Sequence, residues 1–246
     1  MIIDGKQNEK EFANYLNGKK VKELNMLFYL CFEEIFKKVK DEDQVMSWTN
    51  KKAQKTDLFI KINDEVKRVS LKCGIKNSVH VEPVTKFFHF LIENDVSNET
   101  AMEYLLFHYA DGTTNNKGVN RLSTDEYKEK FQHKLDAINK EFNSERIIEK
   151  AVARFVVRGN NSYEDIDLII HGTVDDFLWI KKEDIYKIIL GSSKEYRTGI
   201  HFGSLLCQPL ARNLNYNPKH EKCRYCVQIK WYSLFDDIVR ILSNVC

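Results

Sequence analysis

Between Asp57 and Lys72 two short runs of strand-forming residues flank a polar triplet, Asn63-Asp64-Glu65. A period of two puts successive side chains on opposite faces of a strand. The runs DLFIKI (57–62) and VKRVSLK (66–72) therefore predict an antiparallel hairpin joined by a polar turn. Arg68, Ser70 and Lys72 fall on one face of the second strand, and Val69 and Leu71 fall on the other.

The segments around this hairpin read mostly as helices. Glu9, Phe12, Ala13 and Leu16 recur at helical spacing, so one helix starts near Gln7 and stops at Asn17-Gly18. A second helix is expected over 24–39, a polar connection over 40–55 and a loop over 73–81. Pro83 opens a helix through VTKFFHFLIE, Ser97 caps another through Tyr109, and Ser123 with Glu126 forms a capping box. A further helix spans 144–157. Strands at 165–170 and 176–180, a short helix, and two paired strands within 199–208 and 223–231 follow. SLFDDIVRIL closes the chain as a helix. This order predicts an α/β (α+β) fold, a mixed sheet with helices on both sides, as one domain over 1–246.

Composition limits the class further. With 43% hydrophobic and 30% charged residues, a filled core is expected, and 10 Gly and 3 Pro exclude a collagenous or linker-dominated chain. No apolar run approaches the roughly 18 residues of a membrane helix. The start, MIIDGKQNEK, has no apolar core of a secretory signal. Six irregularly spaced Cys point to a reduced, cytoplasmic protein rather than a disulfide scaffold. A net charge of +2 neither requires nor excludes a polyanionic partner, so the placement of charge matters more than its sum.

The hairpin carries the chemistry. Asp57 opens its first strand, and Ser70-Leu71-Lys72 closes the second. Aspartate is a hard oxygen ligand for Mg²⁺, and the backbone carbonyl of Leu71 is a further candidate ligand. A lysine beside the metal can orient or help deprotonate a water. Metal, in-line water and charge stabilisation are what phosphodiester hydrolysis needs.

These residues resemble the PD-(D/E)-x-K nucleases, with Lys55-Thr56-Asp57 in the first position and Ser70-Leu71-Lys72 in the second. Serine replaces the usual second carboxylate, which is similar to the MspI-like type II restriction endonucleases with Asn or Gln there. The opening Lys6-Gln7-Asn8-Glu9-Lys10 resembles the N-E-K start of that branch's first helix, whose glutamate faces the active site. The resemblance implies a restriction-endonuclease-like mixed central sheet flanked by helices. It also implies a Mg²⁺-dependent, site-specific cut of double-stranded DNA, leaving a 5′-phosphate and a 3′-hydroxyl, in a chain paired with a DNA methyltransferase. Asp57 and the Leu71 carbonyl would bind metal, Lys72 would activate water, Ser70 would hold a water of the metal, and Glu9 would support the site. A nuclease for repair, nicking or phage defence, and an inactive DNA-binding relative, stay open, as do monomer and homodimer.

A second region, 199–231, reads as a DNA-contacting ribbon. Arg224, Gln228 and Lys230 share one face if 223–231 is a strand, and the preceding residues add Gln208, Arg212, Asn213 and Lys219. Arginine and lysine suit guanine or phosphate, glutamine and asparagine suit adenine, and a β-ribbon fits a major groove. The loop after the catalytic strand offers Lys76, Asn77, Ser78 and His80 as further DNA contacts. An ordinary solvated strand face is the plain alternative for the ribbon, and a structural hydrogen bond is the plain alternative for His80. Cys223-x-x-Cys226 lacks a second pair, which argues against zinc. Asp165 and Asp167 have no following lysine element and read as structural.

Overall fold

The computed structural model describes residues 4–52, 54–74, 77–159, 163–193, 198–210 and 218–243. They fall into two compact units. One comprises Met1–Asn77, Ala153–Lys187 and Ser233–Cys246, and the other comprises Ser78–Val152 and Ile188–Tyr232.

The first unit is built on a mixed five-stranded sheet, ordered β1-β2-β3-β5-β6. Its strands are β1 (Val45–Thr49), β2 (Leu58–Ile62), β3 (Glu65–Lys72), β5 (Leu168–Gly172) and β6 (Phe177–Lys181). The β3–β5 pair is parallel and the others are antiparallel. The predicted hairpin is β2–β3, closed by Asn63 in the left-handed region (φ 53°), which asparagine tolerates in tight turns. Helix α1 (Gly5–Leu16) starts at Asp4, whose carboxylate accepts from the Lys6 N–H, and ends at Asn17. Phe12, Ala13 and Leu16 pack with α2 (Met26–Ile35) and with Val45, Leu58, Ile60, Val69 and Leu71 in one apolar core. Helix α8 (Leu234–Ser243) belongs to the same unit and packs against β6.

The second unit holds an antiparallel sheet ordered β4-β9-β8-β7, from β4 (Ser78–Pro83), β7 (Ile200–Phe202), β8 (Leu205–Pro209) and β9 (Cys226–Lys230). Helices α3 (Val84–Glu93), α4 (Asn98–Tyr109), α5 (Thr124–Phe142) and α6 (Glu145–Ala151) accompany it. Its core is aromatic: Phe87, Tyr104, Phe142 and Phe202 are fully buried, and the last two stack with centroids 4.6 Å apart. Helix α7 (Lys182–Gly191) runs from the end of the first unit's segment into the second.

Several expectations change. The polar connection 40–55 contains β1. Its inward residue Ser47 satisfies its hydroxyl on the Phe59 carbonyl at 3.1 Å, while Met46 and Trp48 face out, so beyond the buried Val45 the polar residue is inside and the large apolar ones outside. The expected loop 73–81 contains the start of β4. A bulge between Ser78 and His80 and an inward Glu82 disguise its alternation. Helix α2 ends at Ile35, because Phe36 turns extended and lays its ring edge-on against Phe32. The helix after Ser144 converts at Val152 into a π-helix through Arg158. The strand expected from Cys223 begins only at Cys226, since Pro218–Tyr225 forms a 3₁₀ helix. The 199–208 strand is split into β7 and β8 at Gly203 (φ 56°), where a Cβ would lie 2.2 Å from the Ile189 carbonyl oxygen.

Candidate functional site

Strand register brings the hairpin residues together. Leu58 pairs with Val69, so Asp57 stands opposite Ser70 at the open end of the hairpin. One Asp57 oxygen, Oδ2, accepts from the Ser70 hydroxyl at 3.0 Å and from the Leu71 N–H at 2.8 Å. The Lys72 ammonium donates to Ser70 Oγ at 2.9 Å and to the Leu71 carbonyl at 3.0 Å, and lies 3.6 Å from Asp57 Oδ2. Asp57 and Lys72 keep about a fifth of their side-chain surface open (22% and 21%), whereas Ser70 is fully buried.

Glu9 belongs to this cluster. It is partly buried on α1, and its carboxyl is held above the ordinary range by burial and then by the negative charge of Asp57, with Lys72 pulling the other way. Its neighbour Asn8 is buried and donates from Nδ2 to the Gly172 carbonyl at 3.0 Å. That bond ties the first turns of α1 to the end of β5.

Two further side chains lie close by: Lys55, which the sequence names only as part of Lys55-Thr56-Asp57, and His171, which it does not single out. Lys55 is buried, and its ammonium donates to the Phe155 carbonyl in the π-helix at 2.7 Å. Burial, then the charge of Lys72, pushes its pKa down to about 7, with Asp57 opposing. His171 pairs with Lys72 across the parallel β3–β5 ladder, and burial lowers its pKa. Neither leaves a periodic signal. Lys55 sits in an irregular connection, and what buries it comes from a segment 100 residues away.

The donor set suits a hard cation. It consists of two carboxylates, a carbonyl and a hydroxyl, all oxygens. An ammonium already rests on three of them, Asp57 Oδ2, Ser70 Oγ and Leu71 O. Among the described residues no three His, Cys, Asp or Glu side chains gather into a metal cluster, so a cation here would depend on the Leu71 carbonyl and solvent as well as the carboxylates.

The second unit presents a different polar surface. On the outward face of its sheet, Gln208 donates through Nε2 to Gln228 Oε1 at 3.1 Å, and Gln228 donates through Nε2 to Ser78 Oγ at 3.1 Å. Lys230 is next along β9, with its ammonium on the Tyr232 hydroxyl at 2.9 Å. A cavity of about 490 Å³ borders Gln208, Gln228, Lys230, Leu206, Thr124 and Lys128. Gln208, Gln228 and Lys230 thus share one face with Ser78, which the sequence assigns to a separate loop after the catalytic strand. Arg224 does not share their face. It lies in the 3₁₀ helix, where its carbonyl partners His108 Nε2 at 2.8 Å. His80 turns inward, 3.6 Å from the buried Glu82 carboxylate. Lys219 is exposed on the 3₁₀ helix, and Asn77 is half-buried just before β4. Lys76, Arg212 and Asn213 lie outside the described residues. Asp165 and Asp167 are structural, bound to Arg158 and to the Arg68 backbone N–H.

No protein-family model and no curated protein sequence matches the chain. Among solved structures it is similar to the restriction endonuclease MspI in complex with its cognate DNA. That likeness has a TM-score of 0.59 and 14% identity, and covers 92% of this chain and 88% of that one. The chain has a restriction-endonuclease-like fold.

Proposed function

We propose that the chain is a Mg²⁺-dependent endodeoxyribonuclease of the type II restriction class, cutting double-stranded DNA at a short sequence. The convergence of Asp57, Ser70, the Leu71 backbone and Lys72 at one end of β2–β3, within a fold like that of MspI, carries this reading. Asp57, Glu9 and the Leu71 carbonyl would hold Mg²⁺, which when bound supplies electrostatic stabilisation of the charge developing on the phosphate. The Ser70 hydroxyl and the Leu71 N–H pin one Asp57 oxygen, Oδ2, so that Oδ1 would be the oxygen offered to a metal. The Lys72 ammonium, held by Ser70 and the Leu71 carbonyl, would turn toward the attacking water and orient it in line with the scissile bond. Ser70 would hold a water rather than a cation directly. The Gln208–Gln228–Ser78 chain and Lys230 would meet DNA, with amides suited to base edges and the lysine to phosphate. A cytoplasmic methyltransferase of the same specificity would protect the host's own sites.

The test is a digest of unmethylated phage DNA with Mg²⁺, with EDTA and Lys72→Ala as controls. Discrete, Mg²⁺-dependent fragments that vanish in the variant support the proposal. A smear would point to a nuclease without strict sites. Intact DNA that the protein still binds would favour an inactive DNA-binding relative, to which Ser70 in place of a carboxylate already lends weight.

A further inference from the structure

Outside the cluster of Asp57, Ser70 and Lys72, the same sheet face carries a stacked aromatic pair whose outer member, Trp48, is exposed. In register, Trp48 pairs with Phe59 and Phe59 with Arg68, so all three lie on the sheet face of Asp57 and Ser70. The Trp48 and Phe59 rings stack, with centroids 5.4 Å apart and planes 17° apart. Trp48 is 41% exposed and Met46 beside it 50%. The chain's other tryptophans are buried, Trp179 at 7% and Trp231 at 0%. An aromatic stack left in water on an edge strand is costly unless something covers it.

Position and charge identify the cover. Phe59 is two residues from Asp57, about 7 Å along the strand, which one unstacked nucleotide spans. Lys61 flanks the stack on the same face and forms no ion pair among the described residues. Lys51 and Lys52 are exposed in the connection from Trp48 toward Asp57. Arg68 is not available, since Glu164 holds its guanidinium at 2.6 Å. The surface is therefore aromatic in the middle and cationic at its margin, which suits a base on its face and phosphates at its rim.

We infer that Trp48 and Phe59 form a stacking shelf for an unstacked nucleotide next to the phosphodiester held by Asp57, Ser70 and Lys72. The inference rests on the nuclease reading of that cluster and extends it, since it requires the DNA to be locally unstacked where it is cut.

Trp48 is the exposed tryptophan, so its emission reports the shelf directly. The full chain, in EDTA to prevent turnover, is titrated with a short oligothymidylate and with an abasic strand of equal length. The thymidylate should quench emission, and the abasic strand should bind without quenching. Trp48→Ala should weaken thymidylate binding by roughly five- to a hundred-fold, the range expected for one stacked base. Trp48→Phe should lose the signal yet keep affinity within about threefold, which also guards against misfolding of the alanine variant. Unchanged affinity in Trp48→Ala, equal quenching by the abasic strand, or no binding at all overturns the shelf. Emission that depends on protein concentration without DNA overturns it in favour of a second copy pairing along β1. Mg²⁺-dependent cleavage by wild type alongside a failed shelf assay removes the shelf alone. Quenching without cleavage of any duplex removes the nuclease reading instead.

Discussion

The two sheets handle polar groups in opposite ways. In the first unit, Asp57, Glu9, Lys72 and Lys55 bring formal charges into a partly closed space, and each perturbs its neighbours. In the second, Gln208, Gln228 and Ser78 line up as a neutral chain on an open face, each amide oriented by the next. Charges held close in low dielectric are suited to stabilising a charged transition state. Oriented neutral donors and acceptors are suited to discriminating base edges, because a wrong edge leaves them unpaired. The difference predicts a division of labour: substitutions in the first sheet should alter rate, and those in the second should alter affinity and selectivity.

The largest effect should follow Asp57→Asn. The amide oxygen can still accept from Ser70 and the Leu71 N–H, so the local fold survives, but the negative charge is gone. Single-turnover cleavage should fall by about a thousand-fold or more, with DNA affinity within about threefold of wild type. A parallel fall in affinity would break the division.

Lys55 tests whether the first unit carries electrostatic strain in its ground state. Its pKa drops on folding from near 10.5 to about 7. The unfolded chain therefore binds more protons than the folded one between those values, and wild-type stability should rise with pH through that window. Lys55→Met lacks this slope. Thermal melts of both proteins from pH 6 to 10 should show wild type gaining on the variant as pH rises. Parallel curves would mean that Lys55 stays charged when folded.

How far these features are legible in the sequence depends on whether they are local. The hairpin, the α1 face with Glu9, and the caps at Ser97 and Ser123 are readable because period and capping chemistry act within a few residues. β1 is hidden because a tertiary partner satisfies its inward polar group, Ser47 on the Phe59 carbonyl, and β4 because a bulge and the inward Glu82 break its alternation. Arg224 is misplaced for a related reason. Alternation in CRYCVQIKW continues back through Cys223, but the anchoring of the Arg224 carbonyl by His108 holds those residues in a 3₁₀ helix. Burial of Lys55 needs the π-helix, which no local pattern announces.

In the second unit, Gln228→Leu removes the acceptor for Gln208 and the donor to Ser78 at once. Affinity for a cleaved site should fall about tenfold, in keeping with the ~1–3 kcal/mol of a bidentate base contact. Selection from randomised duplexes should return a relaxed motif, while the rate of the bound complex stays within about threefold. An unrelaxed motif would assign recognition to other residues.

Ser70→Ala should give an effect no larger than that of Gln228→Leu, and it bears most directly on the comparison. Ser70 is neutral, yet it sits among the charges and is fully buried. It donates to Asp57 at 3.0 Å and accepts from Lys72 at 2.9 Å, so it couples the two without a charge of its own. Removing one such hydroxyl loses about 1.5–3 kcal/mol for a bond to a charged group, and the backbone anchors that remain place the loss at the lower end. Asp57 keeps the Leu71 N–H and Lys72 keeps the Leu71 carbonyl, so both stay anchored. Cleavage should therefore fall about tenfold, through the rate of the bound complex, and should need more Mg²⁺ for half-maximal rate. A fall near that of Asp57→Asn would make Ser70 the equivalent of the missing carboxylate. No fall at all would leave Asp57, the Leu71 backbone and Lys72 as the working set, with Ser70 only filling the space between them.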